Sequence, residues 1–95
     1  MSVRVRIPAP LRSVTAGESE VSVDGGSVAE ALTELESRYP QIRQRLRDDE
    51  GALRRFVNLY VNGEDVRFLQ GLETGLNAGD EVAIIPAVAG GALSC

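Results

Sequence analysis

Apolar and polar residues alternate without exception from Ser2 to Ile7, with Val3, Val5 and Ile7 on one face and Ser2, Arg4 and Arg6 on the other. A strand with one side buried requires that pattern, and Pro8 and Pro10 end it. Leu11 to Ser19 reads as a polar connection containing Gly17, and Glu20 to Val23 as a second short strand with Val21 and Val23 facing inward. Asp24-Gly25-Gly26 closes that strand, and the apolar period then changes. Val28, Ala31, Leu32, Leu35 and Tyr39 fall on one stripe of a helix, while Glu30, Glu34, Ser37 and Arg38 face water. Ser27-Val-Ala-Glu30 is a capping box: the Ser27 hydroxyl accepts the Glu30 amide, and the Glu30 carboxylate reaches back to the Ser27 amide. Pro40 stops the helix near Tyr39. Ile42 and Leu46 return to the core on a short helical turn, and Arg43, Arg45, Arg47, Asp48, Asp49 and Glu50 read as a solvated loop.

Phe56 to Asn62, FVNLYVN, is the strongest strand pattern, and its strength predicts a central place in the sheet. Val57, Leu59 and Val61 point one way; Phe56, Asn58 and Tyr60 point the other. Asn62-Gly63 is a hairpin turn, since both of its central positions need φ > 0, and Asp65 to Phe68 is expected to return as a short strand. Leu72 and Leu76 are expected to plug a loop into the core, and Asn77-Ala-Gly79-Asp80 to turn the chain into a last strand. The order β-β-α-β-β-β, one main helix across a mixed sheet of four to five strands, is an α+β arrangement and matches the β-grasp, or ubiquitin-like, fold. Past Val82, Ile84, Ile85 and Pro86 no residue is large or charged enough to pack. Residues 1–86 are therefore expected to form the domain and 87–95 a flexible C-terminal tail.

Composition removes most chemistries. The 95 residues suit one domain, and no apolar run reaches membrane-spanning length. The charged alternation of the N-terminus is unlike a signal peptide. With one cysteine, Cys95, no disulfide framework exists, and the expected compartment is the cytoplasm. A net charge of −4 argues against non-specific nucleic-acid binding. With no histidine and a single thiol, neither a Cys/His metal site nor a His-based dyad can be built. All ten basic residues are arginines, so the chain offers no lysine amine to a Schiff base or an isopeptide bond. These absences predict no bound cofactor or metal, and a protein that is not itself an enzyme.

FVNLYVNGEDVRF, the later Gly-Asp-Glu-Val segment and IIPAVAGG together resemble the small sulfur-carrier proteins of the ThiS/MoaD group, over the span from Val3 to Gly91. Within that group the resemblance is nearest to the carriers that serve cysteine synthesis. It implies that an E1-like adenylyltransferase/sulfurtransferase of the ThiF/MoeB type uses ATP to adenylate the carboxylate of Gly91. A sulfur donor then converts the acyl-adenylate to a thiocarboxylate, which passes sulfur to an accepting synthase, such as one making cysteine. Gly90, without a Cβ, gives the tail the access that a narrow channel demands.

The departure is Ala92-Leu93-Ser94-Cys95, because an amide at Gly91 leaves no carboxylate to activate. The resemblance implies removal of ALSC by a JAMM-type peptidase that activates water on zinc, cutting between Gly91 and Ala92. An expression remnant is the bland alternative. A persulfide on Cys95 is disfavoured, since nothing near it lowers the thiol pKa. Phe56, Tyr60 and Ile85 are candidate docking residues for the activating enzyme, unless Leu53, Leu69 or loop residues cover them. Glu64 and Asp65 read as solvated turn residues rather than a carboxylate site. The competing function is a ubiquitin-like protein modifier or a non-covalent interaction module. A monomer is expected, because the last strand and tail must stay accessible.

Overall fold

The computed structural model describes residues 2–55 and 57–86. Five strands, β1 (Ser2–Arg6), β2 (Glu20–Asp24), β3 (Val57–Val61), β4 (Glu64–Asp65) and β5 (Glu81–Pro86), form one mixed sheet in the order β2-β1-β5-β3-β4. The first and last strands, β1 and β5, run parallel, from Arg4↔Glu81 to Arg6↔Ala83, while β3 pairs antiparallel with β5 from Val61↔Val82 to Val57↔Pro86. The strongest strand pattern is therefore not the central one. β5 holds the centre because it alone pairs with both halves of the chain, and hydrophobic alternation reports which face is buried rather than which neighbours a strand has.

One face of the sheet carries Val3, Val5, Val21, Val23, Leu59, Val82 and Ile84, all buried. Helix α1 (Val28–Arg38) lays Val28, Ala31, Leu32 and Leu35 on it, each with no exposed surface, and α2 (Pro40–Leu46) adds Ile42 and Leu46. Pro40 thus ends one helix and occupies the first turn of the next, where its missing N–H costs nothing. The N-cap forms as the sequence implies in one direction only. The Glu30 amide donates to Ser27 Oγ at 3.2 Å, but the Glu30 carboxylate accepts from the Gly26 amide at 2.8 Å, one residue earlier than expected. The Ser27–Gly75 bridge and the Val28 amide donating to the Thr74 carbonyl tie the loop before β5 to the start of α1.

Gly25 lies at this junction. A Cβ there would stand 2.8 Å from the Ala31 nitrogen and 3.1 Å from its Cα, so backbone rather than a side chain would have to yield. Gly25→Ala is expected to destabilise the fold by about 1–3 kcal/mol, the range for inserting bulk where packing is complete. Urea titration at an unchanged slope measures it, and an unaltered midpoint would refute the close approach.

Three other expectations are corrected. The connection after β1 contains a 3-10 helix, Ala9–Val14, whose Leu11 is buried and which leads into buried Thr15; the Thr15 hydroxyl donates to the Glu18 carbonyl at 3.0 Å. The residues expected as a solvated loop include part of α2, and Arg47 is largely buried. Its Nε donates to Glu36 at 2.6 Å, with side-chain exposures of 15% and 10%, and Nη1 reaches the Gly51 carbonyl. Neither partner could be removed cheaply, since the survivor would keep a desolvated charge. Finally, β4 is only two residues long. It follows the Asn62-Gly63 turn, whose φ values of 52° and 88° are as the hairpin requires, and it passes at once into a 3-10 helix at Val66–Phe68.

Candidate functional site

The site is the end of β5 and the outer sheet face around it. Alternation places Asn58 and Tyr60 opposite the buried Val57, Leu59 and Val61, and both are half-buried. Tyr60 pairs with Ala83, and Ala83 with Arg6, so these three share one row across the outer face. Ile85 pairs with Asn58, which makes it the diagonal neighbour of Tyr60, and it is 46% exposed. The structure thus brings Tyr60 and Ile85 together beside the strand that leads into the tail. Phe56, Gly90, Gly91, Ala92 and Cys95 lie outside the described residues.

Two features of this surface were not legible in the sequence. Phe68 was expected in a strand; it instead stands 81% exposed at the end of the 3-10 helix, with Leu69 beside it at 36%. Leu53 is packed against the core, whereas Leu69 remains at the surface. Asp65 was expected in solvent and is 7% exposed. It caps the 3-10 helix by accepting from the Arg67 amide at 2.8 Å, and Arg67 Nη2 donates to its other oxygen at 2.7 Å. The signal that could have found it is local, since an Asp two residues before the N–H it caps is an Asx turn.

The guanidinium of Arg67, and then its amide, hold the Asp65 carboxyl below its ordinary value of 3.8, against a smaller opposing effect of burial. A depressed folded pKa stabilises the fold above the ordinary value and loses that contribution as pH falls through the folded one. Asp80 behaves alike, held down by the Asn77 amide and the Asn62 side chain in the turn before β5. Asp65→Asn is therefore expected to flatten, without abolishing, the loss of stability below about pH 4. Thermal melts from pH 7 down to acid check it, and an acid limb identical to that of the parent would discard the assignment.

One cleft borders β5, and a second lies against β3 and the segment after β4. One, of about 270 Å³, lies between Ala83–Ile85 and the Arg6–Pro8 segment, with Arg12 on its wall. It exists because the pairing of β1 with β5 stops at Arg6↔Ala83, while β3 continues to Pro86. The other, of about 290 Å³, is bounded by Arg54, Arg55 and Arg67 around Val57 and Asn58, the partners of Pro86 and Ile85. Among the described residues no group of His, Cys, Asp or Glu could hold a metal ion, and no helix is long and apolar enough to cross a membrane.

The ThiS family model matches residues 5–91. The sulfur carrier protein CysO of Mycobacterium tuberculosis is 50% identical over 93 residues, which cover 96% of this chain and 100% of that one. Among solved structures, the complex of BexX and CysO from Amycolatopsis orientalis superposes with a TM-score of 0.85 at 49% identity, covering 93% of this chain and 98% of the other. SAMP1 from Haloferax volcanii gives a TM-score of 0.83 at 33% identity, covering 95% and 99%. The sheet order and helix placement described above are those of the β-grasp structures it resembles.

Proposed function

The chain belongs to the ThiS family, and from that premise we propose that it is a sulfur carrier whose working group is the carboxylate of Gly91. The observation that carries the reading is where the likeness stops. The family match ends at Gly91, the second of the paired glycines, four residues short of the last. Similarity to CysO over almost the whole chain supports the sulfur-carrier role itself.

In this reading the residues after Gly91 are first removed at the Gly91–Ala92 bond by a zinc-dependent JAMM-type peptidase. An E1-like enzyme then binds the trimmed tail. A Gly91 carboxylate oxygen attacks the α-phosphorus of ATP and pyrophosphate leaves. A sulfur nucleophile attacks the acyl carbon, AMP departs, and Gly91 is left as a thiocarboxylate. A free carboxylate resists attack because it has no good leaving group, and the mixed anhydride with AMP supplies one. The carrier is a co-substrate of partner enzymes, acting as a monomer in the cytoplasm, and the favoured acceptor is a cysteine synthase-like enzyme. The solved assembly of a CysO with BexX supports action through partners.

The test uses the chain ending at Gly91 with the cognate E1-like enzyme, ATP and sulfide. Intact mass should show one oxygen replaced by sulfur, and fragmentation should place it on Gly91. No replacement, with an enzyme that demonstrably activates another carrier, would reject the reading. Likeness to a small archaeal modifier protein favours a second reading, in which Gly91 forms an amide with target proteins. Gly91-dependent adducts on target lysines in a cell extract would select it.

A further inference from the structure

Asn62 does more than turn the chain between β3 and β4, for three hydrogen bonds join it to two consecutive residues at the start of β5. Its amide donates to the Glu81 carbonyl at 2.9 Å, its Oδ1 accepts from the Glu81 amide at 3.1 Å, and its Nδ2 donates to Asp80 Oδ1 at 3.2 Å. The other Asp80 oxygen accepts from the Asn77 amide at 2.8 Å, and the Asp80 carbonyl accepts from the Arg4 amide at 2.9 Å. Asn62 therefore ties the hairpin to the point where β5 begins and β1 joins it. The same residue carries the chain's most labile amide. Of the three asparagines, Asn58 precedes Leu59, Asn77 precedes Ala78, and only Asn62 precedes a glycine. A side-chain amide of this kind is lost when the backbone nitrogen of the next residue attacks it, and a Cβ on that residue obstructs the approach. Gly63 has no Cβ, its φ is 88°, and the space a Cβ would occupy is open to 4 Å. Both residues are exposed, so water and base reach them.

We infer that Asn62 is a deamidation site that the fold holds closed, and that its conversion unfastens the hairpin from β5. In the reaction the Gly63 nitrogen bonds to Cγ of Asn62 and gives up its proton, while Nδ2 leaves as ammonia. Water then opens the cyclic imide at either carbonyl, leaving an aspartate or an isoaspartyl link. The side chain must give up its bonds to Asp80 and Glu81 before Cγ can swing onto the Gly63 nitrogen, so the folded hairpin suppresses the first step. Once conversion to aspartate has occurred, a carboxylate oxygen replaces Nδ2 opposite Asp80. Attraction between donor and acceptor at 3.2 Å then becomes repulsion between like charges. The conversion does not reverse, so it marks a chain whose hairpin has once come away from β5. Neither step involves Gly91 or a partner enzyme.

The experiment incubates the full chain at mildly alkaline pH, folded and in urea, and maps amide-to-acid conversion by peptide mass and fragmentation. We expect Asn62 to convert fastest of the three asparagines in urea, and severalfold more slowly in the folded chain. Equal rates at Asn62 in the two conditions would overturn the hold. Faster conversion at Asn58 or Asn77 in urea would overturn the site. Urea midpoints then test the consequence for the fold. Asn62→Asp is expected to lower the midpoint, and Asn62→Asp/Asp80→Asn, which sets an amide opposite a carboxylate again, to recover most of the loss. An unchanged midpoint for Asn62→Asp, or no recovery in the double variant, would discard the repulsion. Should Asn62→Asp fail to fold, a folded double variant supports the pairing and an unfolded one rejects it.

Discussion

The chain that runs through to Cys95 is expected to take up no sulfur at Gly91, under conditions in which the chain ending at Gly91 is fully charged. The expected difference is all or none, because the chemistry requires a free carboxylate, and in the longer chain the Gly91 carbonyl belongs to a peptide bond with Ala92. Planar resonance makes that amide a poor nucleophile and its nitrogen a poor leaving group, so no amount of activating enzyme substitutes for the cut. Adding a zinc metallopeptidase of the JAMM type should release ALSC and restore uptake together, and removing its zinc with a chelator should stop both. Intact mass with fragmentation follows the two events in one sample. Sulfur found at Gly91 in a chain that still carries ALSC would end the precursor scheme.

The second large effect concerns the scaffold. Leu35→Ala should cost about 3–4 kcal/mol of stability, near the middle of the range for a fully buried leucine whose cavity cannot collapse. Leu35 has no exposed surface and lies among the residues of α1 that cover the sheet, with strands beneath and α2 alongside, so its neighbours have little freedom to close in. Against a total of about 5–15 kcal/mol for a domain, such a loss is severe. Leu69→Ala, at a position 36% exposed, should move stability far less. The urea midpoints of the two variants decide it, and similar losses would mean that the core is not where the structure puts it. Trimmed to Gly91, the Leu35→Ala variant should still take up sulfur at temperatures where it stays folded, because the substitution leaves the reacting residue itself unchanged.

Much of this molecule could be read before any coordinates. Alternation found β1, β2 and β3, a run of β-formers at Val82, Ile84 and Ile85 found β5, the helical stripe found α1 with its buried residues, and Asn62-Gly63 found the hairpin turn. These features depend on neighbours a few positions apart, so the period of the pattern contains them. Errors arose where a residue's partner is distant or its surroundings unusual. Arg47 looked solvated because Glu36 is eleven positions away on another helix. Asp65 is the exception, since its signal was local: an Asx turn that accepts the Arg67 amide two residues on. Phe68 looked like a strand residue because apolar character does not reveal that the chain leaves the sheet after two residues. At the site, the paired glycines could be found only as a motif, whereas Tyr60 and Ile85 were assigned to one face by alternation and became neighbours through the register of β3 on β5.

Local periods, capping and turn residues, and the paired glycines settled what kinds of element this chain forms, and the missing histidine and lysine which side chains it lacks. Pairing between β1 and β5, nearly eighty positions apart, put the last strand in the middle, a choice that only the closing of the core can make because both strands bury the same face. That same closure ended the pairing of β1 with β5 at Ala83, while β3 follows β5 to Pro86.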